Sequence, residues 1–482
     1  MSKTRRSLIF SFLDRYGTAV LNLVGTLLLA RLLSPRDFGI YSVAISVVAL
    51  VAVVRDFGVG NFLLQARDIS DTVIRTAFTI SLPLSALCAL VLIAGSDWIA
   101  RFYAEPGFIG LVPLLAAGFV FVPFGMPSTS LLQREMEFSK LATINLAGAG
   151  AGLIASVGLA VLGFGYMSFA WASLLTSLVR VVAALAWRPC FWAFRPALAR
   201  WREVAVFGGY ASATAIVNVF HDSLPQLIIG RMLGFGAVGA LGRAASVCQL
   251  PDRLFISALQ PVLLPSFAEQ ARKIGDLKSA YLKAIAYMTA LQWPILLCLA
   301  ILAEPAVRLL LGAQWMETAP LVRIMALASM SLFPAFLTYP VLVASGAIRD
   351  TLVSSLLSIP PSVLLIYLAA GHGLHAVAAT QFITGPLQVY TALIFIRRHI
   401  KFGWLEFARP LFVSGVIALC SAAAPAVIVA AEGLRNDLPL SMAMLAAAGA
   451  AAGWLFGLLV TGHPFLAELQ RIVSGPLVRR AA

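Results

Sequence analysis

The stretch GIYSVAISVVALVAVVRDFGVGNFLLQ, residues 39–65, indicates the fold class. It is long enough to cross a hydrocarbon layer of about 30 Å as a helix, and apolar runs of similar length recur along the whole chain. The chain is 60% hydrophobic and only 12% charged, whereas soluble proteins carry about 25% charged residues. The sequence therefore predicts an all-α, polytopic membrane protein.

The apolar runs number fourteen, and the loops between them are short. When the N-terminus is placed in the cytoplasm, 23 of the 35 basic residues fall in inner loops and six in outer loops or span ends. This asymmetry follows the positive-inside rule and favours an even number of spans with both termini inside. The basic N-terminus is interpreted as part of a retained first span. The predicted spans are 8–33, 38–64, 73–95, 108–132, 141–163, 166–187, 204–230, 237–264, 280–303, 318–345, 351–370, 373–396, 410–431 and 438–461.

An internal repeat predicts the domain organisation. RLLSPRDFGIYSVA (Arg31–Ala44) aligns without a gap with RMLGFGAVGALGRA (Arg231–Ala244), with four identities at an offset of 200 residues. Two six-helix lobes in the same orientation, a parallel repeat around a central cavity, are one known plan for transporters. The alternative is chance similarity between two glycine-rich turns. The predicted divisions are an N-lobe at 1–188, a basic cytoplasmic linker at 189–203, a C-lobe at 204–400, and two further helices with a short basic tail at 401–482.

Charged residues inside the predicted spans are the candidate functional residues. A central Arg or Asp costs about 2.5–3.5 kcal/mol on insertion scales, so such residues face the bundle interior or water. Neighbours on a helix point about 100° apart, so we expect Arg55 and Asp56 to pair across helices, for instance with Asp14 and Arg15. Either these groups form interhelical salt bridges, or their arginines attract an anion in a hydrated cavity. The cationic candidates are Arg15, Arg55, Arg243 and Arg253, and the acidic partners are Asp14, Asp56, Asp222 and Asp252.

Other function classes lack their sequence signatures. No G-x-x-x-x-G-K-[ST] phosphate loop and no H-E-x-x-H zinc motif occurs, and the five cysteines are scattered without a CxxC pair. The net charge of +14 is distributed over short loops, which argues against a nucleic-acid partner. We therefore predict no catalytic residue, no metal site and no cofactor.

Two segments carry a family resemblance. LLLARLLSPRDFGIYSVAISVVALVAVVRDFGVGNFLLQ resembles the N-terminal signature of Wzx-type polysaccharide exporters in the multidrug/oligosaccharidyl-lipid/polysaccharide superfamily. LIIGRMLGFGAVGALGRAASVCQLP, followed by PVLLPSFA, is similar to its second-lobe counterpart. The resemblance covers most of residues 8–400 and is nearest the colanic-acid and succinoglycan exporter branch.

The resemblance implies a flippase of the bacterial inner membrane that moves undecaprenyl-pyrophosphate-linked oligosaccharide outward for surface polysaccharide synthesis. It implies that Arg15, Arg55 and Arg253, with Arg243 as a fourth, receive the pyrophosphate. Membrane lipids and polysaccharide polymerase and co-polymerase proteins are the implied partners. Many relatives have an acidic residue shortly before the arginine that matches Arg231, where this chain has Pro225 and Gln226; Asp222 lies further upstream.

Three alternatives remain open at the level of sequence. A drug or cation antiporter of the same superfamily should have an excess of acidic cavity residues, whereas arginines here match or outnumber them. A lipid II flippase would share the fold. A membrane-embedded polysaccharide polymerase or ligase usually has a long outer loop with catalytic residues, and the predicted outer loops have only about a dozen residues.

Overall fold

The computed structural model describes residues 3–65, 70–252, 277–345, 347–432 and 438–467. These residues form α-helices, short 3₁₀ turns and connecting loops, with no strand among them, so the all-α prediction is confirmed. The helices are α1 (Lys3–Leu32), α2 (Pro35–Asp56), α3 (Val59–Gln65), α4 (Asp71–Tyr103), α5 (Phe108–Arg134), α6 (Phe138–Val161), α7 (Met167–Trp187), α8 (Trp201–Met232), α9 (Phe235–Cys248), α10 (Leu277–Ile301), α11 (Ala303–Leu310), α12 (Ala319–Ser329), α13 (Ala335–Ala344), α14 (Ile348–Ala370), α15 (Leu374–Ala379), α16 (Gln381–His399), α17 (Trp404–Ala431) and α18 (Leu440–Thr461).

Ten spans in the described part of the chain are long and apolar enough to cross a membrane. This confirms a multi-pass membrane protein. Helices α1 and α8 are also long, but they carry more charged and polar residues and are not among the ten. The predicted span 237–264 is described only as far as residue 252. The count of fourteen spans therefore stays a prediction.

The chain forms two compact units, Met1–Gly239 and Ala240–Ala482. In the first unit, α6 packs between α1 and α7, α4 packs on α5, and α2 packs on α8. In the second unit, α17 packs between α10 and α18, and α14 packs on α16. The lobe boundaries at 188 and 204 remain a prediction.

The start of α2 is fixed by its own sequence. Ser34 is the N-cap: its Oγ accepts a hydrogen bond from the Asp37 amide at 3.2 Å, and Asp37 Oδ2 accepts one from the Ser34 amide at 3.1 Å. This reciprocal capping box satisfies two amides that a helix start leaves free. Pro35 follows at the first helical position, where its missing N–H costs nothing. The motif SPRD therefore sets where this membrane helix begins.

The span predicted at 318–345 is broken rather than continuous. It consists of α12, a 3₁₀ turn at Met330–Leu332 and α13. Pro334 lies at this break and has no N–H to donate to the helical ladder. The span predicted at 373–396, by contrast, is continuous: only Thr380 separates α15 from α16, its backbone angles are helical (φ −56°, ψ −25°), and its amide donates to the Ala376 carbonyl oxygen at 3.1 Å. A hydropathy pattern detects the apolar length of both spans but not the interruption in the first.

Two glycines allow a close helix crossing. A Cβ atom at Gly39 would overlap the backbone carbonyl oxygen of Phe235, and a Cβ atom at Gly239 would overlap that of Pro35. Each glycine thus faces the residue four positions before the other glycine. The two contacts are related by the same offset of 200 residues that aligns the repeat. The contact symmetry supports the alignment of Arg31–Ala44 with Arg231–Ala244.

A buried histidine after α18 predicts an acid-sensitive fold. His463 is 3% exposed, and its Nδ1 accepts a hydrogen bond from the Phe465 amide at 3.2 Å. Burial lowers the pKa of His463, so below about pH 6.5 the unfolded chain binds a proton that the folded chain does not. Stability should fall as the pH decreases from 7 to 5. His463→Asn, which retains an acceptor but cannot gain a proton there, should reduce this loss of thermal stability by about 1 kcal/mol.

The matched control is the exposed His372, whose replacement by Asn should leave the pH dependence of thermal unfolding in detergent unchanged. The same pH dependence in His463→Asn and the unmodified chain would contradict the assignment.

Candidate functional site

A helix break places the Arg55–Asp56 pair at a helix end. α2 ends at Asp56, Phe57 has left-handed backbone angles (φ 39°, ψ 28°), Gly58 is also left-handed (φ 59°), and α3 begins at Val59. The left-handed conformation costs a non-glycine residue about 1–2 kcal/mol, and such strain is concentrated at functional sites. The predicted continuous span 38–64 is therefore two helices. Arg55 lies in the last turn of α2, where a positive charge complements the helix dipole.

Arg55 and Asp56 bind each other. Arg55 Nε and Nη2 donate to the same oxygen, Asp56 Oδ1, at 2.9 Å and 2.6 Å. The prediction that this pair would bond across helices to Asp14 and Arg15 is wrong. It assumed a continuous helix, whereas the helix ends at Asp56 and the flexible Arg55 side chain reaches its neighbour. The guanidinium also lies 4.2 Å from the centre of the Phe119 ring, a favourable cation–π geometry.

The pair borders a cavity of about 270 Å³ between α2, α3, α4 and α5. The Arg55 side chain is only 14% exposed, whereas Asp56 is 61% exposed. Ser81 and Ser85, one helical turn apart on α4, are buried and line the same space. Among the described residues, neither serine hydroxyl is engaged in a hydrogen bond. The lining residues are Arg55, Asp56, Gly58, Val59, Gly60, Ser81, Ser85, Val122, Pro123 and Met126.

This arrangement can hold a small anion. A guanidinium has five N–H donors, and Asp56 accepts only two from Arg55. Guanidinium groups bind phosphate oxygens strongly and with two parallel bonds, and the hydroxyls of Ser81 and Ser85 are further donors. Ligand pockets usually measure about 300–1,000 Å³. The cavity therefore fits a phosphate-sized group better than an oligosaccharide.

The other predicted residues of the first unit lie elsewhere. Asp14 on α1 accepts hydrogen bonds from Asn145 Nδ2 on α6 at 2.9 Å and from Thr18 Oγ1 at 3.4 Å. Arg15 is exposed on α1, and Asp222 is exposed on α8. None of these three lines the cavity beside Arg55. Of the predicted set in this unit, the structure brings only Arg55 and Asp56 together.

The second unit contains the remaining candidates. Arg243 is half-buried on α9. Asp252 Oδ1 accepts a hydrogen bond at 2.7 Å from Nε2 of the buried Gln292 on α10. Arg253 lies outside the described residues. The chamber between two matching halves, where all four arginines would meet, stays a prediction.

Three residues were not predicted: Ser81 and Ser85, which line the cavity, and Phe119, whose ring packs against the Arg55 guanidinium. The sequence could have indicated Ser81 and Ser85, because their four-residue spacing places them on one face of a helix. The sequence could not have indicated Phe119, since phenylalanine is common in membrane spans and its position over Arg55 depends on how α5 packs. The glycines in RDFGVG indicated that the helix ends next to the charge pair.

Known proteins with similar sequences are proteins of polysaccharide synthesis and transport. The chain is 25% identical over 320 residues to the lipopolysaccharide biosynthesis protein WzxC of Escherichia coli K12, covering 64% of this chain and 63% of that protein. It is 28% identical over 345 residues to the succinoglycan biosynthesis transport protein ExoT of Rhizobium meliloti 1021, covering 71% and 70%. The chain thus spans under two thirds of the length of the first relative.

Solved structures show the same fold. The chain matches the lipid II flippase MurJ in an inward closed conformation with a TM-score of 0.72 at 13% identity, over 98% of this chain and 100% of that chain. It matches an inward-facing multidrug resistance MATE family transporter of the MOP superfamily with a TM-score of 0.64 at 17% identity, over 79% and 94%. These identities show the fold alone, and the fold class predicted from the resemblance is confirmed.

The family match decides the classification. The protein family described as "Polysaccharide biosynthesis protein" matches residues 28–320, more than half of the chain. The matched region includes α2, the helix break and the cavity beside Arg55. Together with the relatives and the shared transporter fold, this match confirms the predicted resemblance: the chain belongs to the polysaccharide biosynthesis protein family.

Proposed function

We propose that this protein is a flippase that carries an undecaprenyl-pyrophosphate-linked oligosaccharide across the bacterial inner membrane for surface polysaccharide synthesis. One observation carries the proposal: a largely buried arginine, of whose five N–H donors three have no acceptor among the described residues, faces a cavity that two serine hydroxyls also line. The names of the relatives, which include a teichuronic acid biosynthesis protein of Bacillus subtilis, support a polysaccharide substrate.

Arg55 binds the pyrophosphate by exchanging partners. In the substrate-free site, Asp56 neutralises the guanidinium, which would otherwise be an uncompensated charge in a largely apolar cavity. A phosphate group brings its own negative charge, so it can replace Asp56 without leaving Arg55 unpaired. Asp56 is 61% exposed, so its carboxylate has room to turn away from Arg55 when a phosphate binds. The cavity receives the phosphate end, and the sugars lie outside it because of its size.

The direction of transport agrees with the membrane potential. An inside-negative potential favours outward movement of negative charge by about 2.3 kcal/mol per charge per 100 mV. Both termini lie in the cytoplasm in this proposal, as the distribution of basic residues predicts. A flippase of this kind binds its substrate at the inner face and releases it at the outer face by alternating access.

Deletion of the gene in the bacterium that encodes this protein should test the substrate. We expect loss of one secreted or surface polysaccharide and accumulation of its undecaprenyl-pyrophosphate-linked oligosaccharide on the cytoplasmic side, with cell viability retained. Mass spectrometry of extracted lipids, together with analysis of secreted glycan, measures both effects, and the unmodified gene supplied on a plasmid should reverse them.

The alternatives give different results in the same experiment. Lethality with accumulated peptidoglycan precursor would indicate a lipid II flippase instead. Unchanged glycan and lipid intermediates with increased drug sensitivity would indicate a drug antiporter.

A further inference from the structure

The segment 188–203, which comprises the connection between α7 and α8 and the first three residues of α8, is fixed to the ends of α4 and α5. Arg75 on α4 donates from Nε to the carbonyl oxygen of Arg195 and from Nη2 to that of Pro196, both at 3.0 Å. Ser128 on α5 donates to the carbonyl oxygen of Arg188 at 2.8 Å. A chain that only connected two lobes would need no such bonds. We call this segment the docked linker.

Further contacts hold the inner side of the docked linker. Thr76 Oγ1 donates to the Ala199 carbonyl oxygen at 2.8 Å, and Thr79 Oγ1 accepts from the Ala197 amide at 3.0 Å. The Phe194 ring packs against Phe78 and Phe124, with ring centres 4.9 Å and 5.3 Å apart. The buried Cys190 and Ala193 complete this inner side. The outer side chains are thereby presented in a fixed place.

The outer side of the docked linker exposes large apolar groups. Phe191 is 62%, Leu198 65% and Trp201 49% exposed. Trp187, directly before the docked linker, is 48% exposed. Four such groups within 15 residues make an apolar surface that the described part of the chain leaves uncovered. Clusters of this kind mark contact with another molecule or with a membrane, and tryptophan is enriched at the level of lipid headgroups.

Two arginines on the same segment lack an acidic partner. Arg200 forms an ion pair with Glu203 at 2.6 Å, and Arg188 forms one with Glu135 at 2.6 Å. Arg195 and Arg202 are exposed, and neither forms an ion pair with a described residue. Arg202 lies 5.7 Å from the centre of the Trp201 ring. The exposed part of the docked linker therefore combines apolar groups with two positive charges that have no acidic partner among the described residues.

We propose that the docked linker is a binding surface for anionic phospholipids of the cytoplasmic leaflet. Arg195 and Arg202 bind the headgroup phosphates, while Phe191, Leu198 and Trp201 insert at the boundary between headgroups and acyl chains. Interfacial segments that pair basic with apolar side chains bind anionic membranes through burial of apolar surface and through electrostatic attraction. The cytoplasmic leaflet has a negative surface potential. The composition of the surface favours a lipid over an acidic protein segment, because four large apolar groups accompany two arginines that have no acidic partner among the described residues. The inference does not depend on what the protein transports.

The test uses the purified full-length chain in detergent, titrated with phosphatidylglycerol or phosphatidylcholine, with bound lipids counted by native mass spectrometry. The chain should bind phosphatidylglycerol more tightly, and the double variant Arg195→Gln/Arg202→Gln should lose roughly thirtyfold in that affinity. Affinity for phosphatidylcholine should stay the same. Arg101→Gln, at the opposite end of α4, is the matched control, because this exposed arginine is already paired with Asp97.

Three results would overturn the inference. The first is an unchanged affinity for phosphatidylglycerol in the double variant. The second is an equal loss for both lipids, which would leave no role for headgroup charge. The third needs no variant: binding of phosphatidylglycerol to the unmodified chain that is insensitive to salt between low and high ionic strength, since exposed charges are screened by salt.

Discussion

Replacing Arg55 by glutamine should nearly abolish export of the lipid-linked oligosaccharide while the protein still inserts and folds. The guanidinium supplies the only described positive charge in the cavity, and a hydrogen bond to a charged group contributes about 1.5–3 kcal/mol. Loss of this hydrogen bond corresponds to a roughly ten- to hundredfold lower affinity for the phosphate. Secreted polymer per cell, normalised to the amount of protein in the membrane fraction, measures the effect. Arg55→Lys should retain part of the activity, because it keeps the charge but loses the paired N–H geometry.

The controls separate anion binding from general damage. Arg180→Gln changes another arginine inside a predicted span, one that is exposed on α7 and does not line the cavity; its export should be normal. Asp56→Asn removes the competing carboxylate and should preserve or tighten binding of a pyrophosphate-bearing lipid. Normal polymer yield from Arg55→Gln, or equal losses from Arg55→Gln and Arg180→Gln, would show that Arg55 does not receive the substrate anion.

The sequence predicted that Arg55 lies beside a cavity but not how its guanidinium is held. An arginine in an apolar run is costly enough that it must face a polar space, and Arg55 does border a cavity. The pairing depends on a local event, the left-handed turn at Phe57 and Gly58, which ends the helix at Asp56. Hydropathy averages over about 20 residues cannot detect a turn of two residues. The glycines of RDFGVG were the available signal.

Tertiary contacts explain the remaining differences. The segment 189–203 was predicted as a linker because it is basic and lies between two apolar spans. Its docking relies on the side chains of Arg75, Thr76 and Ser128. These residues are more than 50 positions away in the sequence, and nothing in their local sequence indicates which carbonyl groups they bind. Asp14 likewise meets Asn145 rather than Arg55, because α1 packs on α6. Pattern and composition specify helices, whereas helix partners are set by packing.

Gly39→Ala and Gly239→Ala should each destabilise the protein by about 3 kcal/mol or more. In either variant the new Cβ would overlap a backbone carbonyl oxygen, of Phe235 or of Pro35, and a backbone cannot turn aside as a side chain can. The helices must separate, and overpacking of this kind usually costs 1–3 kcal/mol even against side chains. Gly242→Ala on α9 is the matched control: its Cβ would have no atom of another described residue within 4 Å, and alanine gains about 1 kcal/mol of helix propensity. Thermal unfolding in detergent should rank Gly242→Ala at or above the unmodified chain, with the other two far below and close to each other, because their contacts are equivalent under the 200-residue repeat. A stable Gly39→Ala beside an unstable Gly239→Ala would contradict that equivalence, and two stable variants would contradict the crossing itself.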